Sequence, residues 1–315
     1  MKLIRQYEFG PAENLRYEDA PDLQPGPGQV RIDVAAAGVH LIDTTFRKGI
    51  QAGPPLPTLP YTPGREVAGT VALAGPGVDP AWLGKRVTAH LGMVSGGYAS
   101  QALANVDSLH VVSDNASFEE AVAMIGTGRT AMGILTIAAL TTDDVVLVTS
   151  AAGGLGALLL QAARSVGART IAAAGGAAKL DLVDADVKRD YLEQDWAQGL
   201  DPKPTVVLEA VGGEIGRTAM KALAPGGRLV MYGFSAGSMI ELSAGDLYSG
   251  SISAHVALGP ALLKGGMRGL EERSMAALAA RELVPLITTF PLAEAAKAQT
   301  ALETRATVGK TVLLP

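Results

Sequence analysis

Cysteine is absent from the sequence of 315 residues. Its absence excludes disulfide bonds and thiolate metal ligands, and it fits a protein of a reducing compartment such as the cytoplasm. A strong positive charge is lacking too, since 26 lysine and arginine residues stand against 31 acidic ones and form no dense cluster. Because binding to a phosphate backbone needs concentrated positive charge, we expect no nucleic-acid partner.

Long apolar runs are also missing. The start of the sequence, MKLIRQYEFGPAENL, does not have the apolar stretch and cleavage site of a secretory signal. The longest strongly apolar piece, AMGILTIAAL (131–140), is shorter than the roughly 20 residues that a membrane-spanning helix needs. Hydrophobic residues still make up 48% of the chain, enough for a sizeable core. We therefore expect a soluble, cytoplasmic protein that does not contact a membrane.

Residues 1–118 are rich in short alternating runs such as QVRIDVAAAGV (29–39) and REVAGTVALAG (65–75). Turn clusters such as PGPG (25–28) separate these runs. This pattern is typical of a β domain of irregular barrel type. Residues 259–315 end in the strand-like KTVLLP, and we expect them to rejoin this first domain, which has no predicted helices of its own.

Strands and helices alternate in residues 119–258, after a helix-start signature at Ser117. Six strands are predicted here, and they read VVLVT (145–149), RTIAAA (169–174), DVKRDY (186–191), TVVLEAV (205–211), RLVMYG (228–233) and SISAHVAL (251–258). Continuous apolar strands that alternate with helices predict a parallel, doubly wound α/β sheet.

A glycine-rich turn follows the first of these strands. It reads Ala151-Ala152-Gly153-Gly154-Leu155-Gly156 and leads into the helical segment that ends at residue 168. Apart from Ala151 at its first position it matches the G-x-G-x-x-G pattern, in which the middle glycine admits a pyrophosphate and the last lets the helix pack closely on the strand. Strand, turn and helix together predict a dinucleotide site.

The dinucleotide is indicated by the segment some twenty residues further on. An NAD enzyme places an acid there to bind the ribose 2′-hydroxyl, whereas this sequence reads AAGGAAK (173–179). Small residues and Lys179 would admit a 2′-phosphate, which favours NADPH. The alternative for Lys179 is an ordinary exposed helix lysine.

These features together resemble the medium-chain dehydrogenase/reductase superfamily, and within it the zinc-independent quinone oxidoreductases related to zeta-crystallin. Further motifs that carry the resemblance are GVHLIDTTFRKG (38–49), LPYTPGREVAG (59–69), MIGTGRTA (124–131) and GKTVLLP (309–315). The resemblance implies a GroES-like catalytic domain, a Rossmann domain and a nicotinamide held between them. It also implies an oligomer, for which we expect a homodimer.

The resemblance assigns a set of residues to cofactor binding. The pyrophosphate turn corresponds to Ala152, Gly153, Gly154 and Leu155, and the adenosine ribose and its 2′-phosphate to Gly175, Lys179 and Tyr191. The segments near the rest of the cofactor correspond to Val211, Gly212, Gly233, Phe234, Ser235, Thr127 and Thr130. For the two threonines, helix capping or a bond to the preceding turn is the alternative.

The zinc enzymes of the superfamily hold their metal with three residues, and in this sequence those places are occupied by His40, Arg65 and Thr127. Arginine has no lone pair to offer, threonine is a poor zinc ligand, and a catalytic zinc normally needs three protein ligands. We therefore expect no metal. Without a Lewis acid, the acceptor must already be activated for hydride, as quinones and α,β-unsaturated carbonyls are.

His40 is the candidate catalytic residue, as a hydrogen-bond donor to the acceptor or the nicotinamide. A half-buried histidine without a catalytic role is the alternative. Thr45, Gln51, Tyr61 and Phe234 are expected to line the substrate cleft. The expected activity is NADPH-dependent quinone reduction. Reduction of an enoyl or alkenal double bond is the main alternative, and an NADPH-binding sensor or structural protein with little turnover is another.

The absence of a complete ligand set generates a direct prediction. Elemental analysis of the purified protein is expected to show much less than one zinc per chain. One tightly held zinc per chain would overturn the argument from His40, Arg65 and Thr127.

Overall fold

A computed structural model describes residues 1–51, 55–92, 95–262 and 266–315. The strands among these residues are β1 (Lys2–Gln6), β2 (Leu15–Asp19), β3 (Gln29–Val39), β4 (Glu66–Ala74), β5 (Arg86–His90), β6 (Gln101–Asn105), β7 (Leu109–Val111), β8 (Val145–Thr149), β9 (Arg169–Ala174), β10 (Val187–Asp190), β11 (Val206–Glu209), β12 (Arg228–Met231), β13 (Ser253–Val256), β14 (Ile287–Pro291) and β15 (Lys310–Leu314). The α-helices are α1 (Leu41–Arg47), α2 (Phe118–Ala123), α3 (Arg129–Ala138), α4 (Gly154–Val166), α5 (Ala177–Leu180), α6 (Gly213–Lys221), α7 (Ala244–Gly250), α8 (Met267–Ala279) and α9 (Ala295–Glu303).

The chain divides into two units. The first unit comprises Met1–Thr127, Ser274–Ala279 and Ile287–Pro315, and the second comprises Gly128–Arg273 and Ala280–Leu286. The sequence placed the boundaries after residues 118 and 258 instead. Helix α2 extends the first unit because it packs on β3, β4 and β5. Of the segment after residue 258, residues 259–273 and 280–286 belong to the second unit, where Glu271 pairs with Arg129 at 2.9 Å, and the rest belongs to the first.

The first unit is built on a sheet with the order β14-β15-β3-β4-β5-β7, and β6 also pairs with β3. Strand β15 runs antiparallel to β3, so the C-terminal segment rejoins the N-terminal part of the chain as expected. The expectation of a unit without helices is wrong. Helix α1 begins directly after His40, because the Asp43 carboxylate accepts the His40 backbone N–H at 2.9 Å and caps the first turn.

The second unit is a sheet of six parallel strands in the order β10-β9-β8-β11-β12-β13. In chain order this is 3-2-1-4-5-6, the arrangement of a Rossmann fold, which confirms the predicted doubly wound sheet. All five residues of β8 are buried, as the unbroken apolar run VVLVT indicates for a central strand. The strand order reverses between β8 and β11, the point where such sheets bind their ligands.

A long helical stretch connects α2 to α3 through one π-helical turn, Met124–Gly128. The combined stretch Phe118–Ala138 has 21 residues and is long and apolar enough to cross a membrane by length and composition. The apolar helical stretch is therefore longer than the segment AMGILTIAAL (131–140) predicted. Of its most apolar window, 72% is buried inside the protein, which is the behaviour of a core helix.

Close packing of α4 on β8 depends on one glycine. A Cβ added to Gly156 would lie 2.2 Å from the Ser150 carbonyl oxygen and 2.9 Å from the Ala151 Cα. Both of these are backbone atoms, which cannot rotate away. The role that the sequence pattern gave to the last glycine of the turn is thus the one that the geometry requires.

We expect Gly156→Ala to destabilise the protein by about 2 kcal/mol or more, because the helix must move off the strand. Thermal and urea unfolding of the variant would measure the loss. Gly269→Ala in α8 is the matched control, since its Cβ would meet nothing within 4 Å. That change is expected to be neutral or to stabilise by up to about 1 kcal/mol. Equal stability of the two variants would contradict the packing argument.

Candidate active site

The turn between β8 and α4 is shaped to receive an anion. Ser150 has a positive φ of 51°, and its carbonyl oxygen accepts the Gly153 N–H at 2.8 Å, which reverses the chain. Gly153 is the N-cap residue of α4. Among the described residues, no side chain caps the first N–H groups of this helix. The first N–H groups of this 13-residue helix therefore keep their capacity for a phosphate, helped by the helix dipole.

Two of the residues predicted to bind the adenosine half, Gly175 after β9 and Tyr191 after β10, lie next to each other. The Tyr191 ring packs against Gly175, where a Cβ would lie 3.0 Å from the ring carbon Cε2. Lys179 lies one turn into α5, whose start at Gly176 is fixed by the Asp190 carboxylate accepting the Gly176 N–H at 3.0 Å. The sequence argument overlooked Asp190. Its Oδ1 also accepts the Leu192 N–H at 2.9 Å, so it orders the turn that carries Lys179.

The loops after β11 and β12, which contain Val211, Gly212, Gly233, Phe234 and Ser235, contact each other. They are joined by backbone bonds, with the Ser235 N–H donating to the Ala210 carbonyl at 3.0 Å and the Ala236 N–H to Val211 at 2.7 Å. Gly212 has a φ of 76°, and a Cβ there would lie 2.1 Å from the Ser238 oxygen. Phe234 projects from this edge with 46% of its surface exposed.

Glu209 organises this edge, and the sequence argument missed it. Its buried Oε1 accepts the Val211 N–H at 2.7 Å and the Gly212 N–H at 2.9 Å. Burial raises the pKa of the Glu209 carboxyl, and these two N–H bonds oppose that effect. A carboxylate at the end of β11 thus shapes the loop assigned to the cofactor. The sequence LEAVGG (208–213) does not indicate that the Glu209 side chain bonds to the backbone of the loop that follows it.

The two threonines of MIGTGRTA lie in different local structures. Thr127 is in the π-helical turn, and Thr130 is in the first turn of α3. Both side chains are half-buried. The widened turn offsets their positions from those of a regular helix.

In the first unit, three charged or titratable side chains converge. His40 Nε2 lies 2.6 Å from Glu66 Oε1, and the Lys310 ammonium is 2.7 Å from the same ring nitrogen. Lys310 also donates to Glu66 Oε2 at 2.8 Å. Glu66 and Lys310 are 0% and 5% exposed, whereas His40 keeps 27% of its side chain exposed. We call these residues the His40–Glu66–Lys310 cluster, and His40 is its accessible member.

Two glycines make room for the cluster. A Cβ on Gly126 would lie 1.5 Å from Glu66 Oε1, and one on Gly38 would lie 2.5 Å from Glu66 Oε2 and 3.1 Å from the Lys310 Cε. Burial acts to raise the pKa of the Glu66 carboxyl. The charge of Lys310, the hydrogen bond with His40 and the charge that His40 carries when protonated outweigh burial and leave the Glu66 pKa well below its usual value, so it is a carboxylate.

The predicted cleft residues occupy different surroundings. Tyr61 lines a cavity of about 50 Å³ in the first unit, together with Asp43 and Arg65. Asp43 is held there by the buried Tyr98 hydroxyl, which donates to it at 2.9 Å. With its bond to the His40 backbone N–H, Asp43 therefore anchors the start of α1 to Tyr98.

The other two predicted cleft residues of this unit are Thr45 and Gln51. The Thr45 hydroxyl donates to the Leu41 carbonyl at 3.4 Å within α1, which is the local bond that helix threonines often make. Gln51 is exposed just after that helix. Neither residue supplies an aromatic face.

Lys310 is the main residue of this site that the sequence argument missed. It stands in GKTVLLP as the single charge at the start of an otherwise apolar strand. A buried strand that begins with lysine needs an acidic partner, and this was the available signal. The partner, Glu66, could not be named, because 244 residues separate the two in the sequence.

Comparison with known proteins places this geometry in a family. Models described as "Alcohol dehydrogenase GroES-like domain" and "Zinc-binding dehydrogenase" match residues 26–128 and 183–313. A quinone oxidoreductase of Pseudomonas aeruginosa is 32% identical, with 100% of this chain and 99% of that protein aligned.

Solved structures agree with the sequence relatives. The Escherichia coli quinone oxidoreductase complexed with NADPH superposes with a TM-score of 0.85 at 28% identity, and 100% of each chain is covered. An NAD-dependent alcohol dehydrogenase has a TM-score of 0.89 at 27% identity, again over 100% of both chains. The chain is a medium-chain dehydrogenase/reductase, and within that superfamily it belongs to the quinone oxidoreductase group. It is therefore an oxidoreductase.

Proposed function

We propose that this oxidoreductase transfers a hydride from NADPH to a quinone without a metal ion. The observation that carries the proposal is the His40–Glu66–Lys310 cluster, which presents one partly exposed histidine backed by a buried pair of opposite charges. The quinone oxidoreductases of similar sequence and structure support the choice of acceptor.

The second unit contains residues that fit NADPH. The turn at Gly153 and the first N–H groups of α4 would bind the pyrophosphate. Gly175 follows β9, Tyr191 follows the adjacent β10 and Lys179 lies in α5, and together they would bind the ribose and its 2′-phosphate. When bound, NADPH supplies the hydride from C4 of its nicotinamide. The loops that contain Gly212 and Gly233 approach each other closely enough to need glycine and would support the nicotinamide half.

The chemistry of the first unit suits an activated acceptor. Negative charge develops on the acceptor oxygen as hydride arrives, and conjugation in a quinone or enone spreads that charge. A hydrogen bond from His40 would stabilise it further. One matching family is described as zinc-binding. In this chain, however, Arg65 and Thr127 stand at two of the ligand places, and the carboxylate of Glu66 is already paired with Lys310.

We also propose a homodimer in the cytoplasm. Strand β13 is one of the two edge strands of the six-stranded sheet, and within the described residues it pairs only with β12. Val256 on this strand is 55% exposed, and Leu258 just after it is 41% exposed. An edge strand with exposed apolar side chains beside it can pair with a second copy of the same chain. The burial of the long helix supports a soluble protein.

An acceptor panel with NADPH, followed by loss of absorbance, tests the activity. Reduction of quinones is expected. Turnover of enones or alkenals alone would favour the double-bond reductase. Tight NADPH binding with negligible turnover of every acceptor would favour the sensor or structural protein.

Lys179→Ala is expected to weaken NADPH binding by about tenfold while leaving NADH binding nearly unchanged, because only NADPH carries the 2′-phosphate. Binding titrations with both cofactors would measure the ratio. Lys203→Ala is the matched control. This exposed lysine precedes the amino end of β11, whereas Lys179 follows the carboxyl end of β9. An unchanged NADPH-to-NADH ratio in Lys179→Ala would remove this residue from the phosphate site.

His40→Ala is expected to lower kcat/KM for the acceptor by roughly 10- to 100-fold, because the oxyanion loses a hydrogen-bond donor. His40→Asn keeps a donor and should retain much more activity. Thermal unfolding of both variants checks that the fold persists. Full activity in a folded His40→Ala protein would reduce His40 to a packing residue.

A further inference from the structure

Lys310 has no role in the assignments above beyond its contact with His40 and Glu66. Its strand, β15, is an inner strand of the first sheet, between β14 and β3. A lysine at such a place loses its hydration and must recover that free energy from its partners. The ammonium has two partners at hydrogen-bond distance, Glu66 Oε2 at 2.8 Å and His40 Nε2 at 2.7 Å.

We propose that Lys310 is a positioning residue of the active site, whose ammonium acts with the Glu66 carboxylate on a single atom, His40 Nε2, and so sets the charge and orientation of the ring. The role in catalysis rests on the function proposed above. The effect on the His40 ring itself does not.

The geometry gives the two charges opposite and comparable effects on the ring. The carboxylate oxygen is 2.6 Å from Nε2, and the ammonium nitrogen is 2.7 Å from it. The carboxylate favours an imidazolium, whereas the ammonium disfavours one. Removing either charge leaves the other unopposed at the same ring nitrogen.

The pair also accommodates either form of the neutral ring. A neutral imidazole presents at Nε2 either a lone pair or an N–H. The lone pair accepts a hydrogen bond from Lys310, and the N–H donates one to Glu66. The ring is therefore anchored at Nε2 whichever nitrogen carries the proton. A carboxylate alone would bind only the protonated Nε2.

Other charged groups near His40 are already engaged. On α1, the Asp43 carboxylate accepts the His40 backbone N–H and the Tyr98 hydroxyl. At the far end of α1, Arg47 pairs with Glu303 of α9 at 2.9 Å.

On β5, His90 lies opposite Glu66 in the strand register, and its charge contributes to the low Glu66 pKa. Only Glu66 and Lys310 contact the His40 ring among the ion pairs and side-chain hydrogen bonds of the described residues.

The test is an NMR titration of histidine-labelled protein. The sequence has four histidines, so the spectrum is simple, and His40→Asn identifies the His40 signal. Lys310→Met leaves the carboxylate unopposed and should raise the titration midpoint of the His40 ring by about one pH unit or more. Glu66→Gln leaves the ammonium unopposed and should lower the midpoint by a similar amount. The double variant should return to within about half a unit of the unmodified protein.

Opposite shifts of the single variants support the inference. Shifts in the same direction, or none in either variant, overturn it, because a purely structural pair would change stability without this pattern. If Lys310→Met does not fold, the downward shift in Glu66→Gln and its reversal in the double variant decide the matter.

Lys297→Met is the matched control, since it breaks an exposed pair with Glu294 and should leave His40 unchanged. His255, on β13 of the second unit, is an internal reference.

The pH profile of acceptor reduction connects the ring to turnover. It should shift in the same directions as the His40 midpoint in the two single variants. Opposite NMR shifts without reduction of any acceptor would support the inference about the ring and overturn the proposed function. A profile that ignores the NMR shifts would overturn the catalytic part of the inference.

Discussion

A buried carboxylate needs a positive charge close by, and in the first unit this requirement applies to Glu66. The side chain is fully buried at the start of β4, and its compensating charge comes from Lys310 on β15. Removing one member of such a pair costs far more than the pair contributes, because the remaining charge is left without solvent or partner. The strands that position these two residues are therefore tied to each other chemically as well as through β3. Gly38 and Gly126 complete the arrangement by leaving room for the carboxylate.

This constraint also determines what His40 can do. The Glu66 carboxylate is paired with the Lys310 ammonium, so it is a poor ligand for a metal ion. His40 instead borders a resident ammonium and is anchored at one nitrogen. In the function proposed here, the cluster would stabilise charge with fixed groups that do not have to reorganise during the reaction, which is the usual basis of electrostatic catalysis. An acceptor that already delocalises negative charge makes the smallest demand on such a site.

The local parts of this account could be predicted from the sequence. The turn at Gly153, the packing role of Gly156 and the order of alternating strands all depend on neighbouring residues, and the structure shows the expected strand, turn and helix. The helix at Leu41–Arg47 was missed because a seven-residue helix gives too short a periodic pattern. Lys310 and Asp190 were missed because their roles come from partners on other strands or turns. Sequence patterns report local periodicity well, but they do not report which distant side chains meet.

The central claim is hydride transfer that depends on these side chains and needs no metal ion. Its most direct test is a stopped-flow measurement in which the protein, treated exhaustively with a strong chelator, is mixed with NADPH and a quinone. The account predicts that NADPH oxidation proceeds at the rate of the untreated protein and slows when C4 of the nicotinamide carries deuterium in the transferred position. Loss of the reaction on chelation, with recovery on adding zinc, would contradict it.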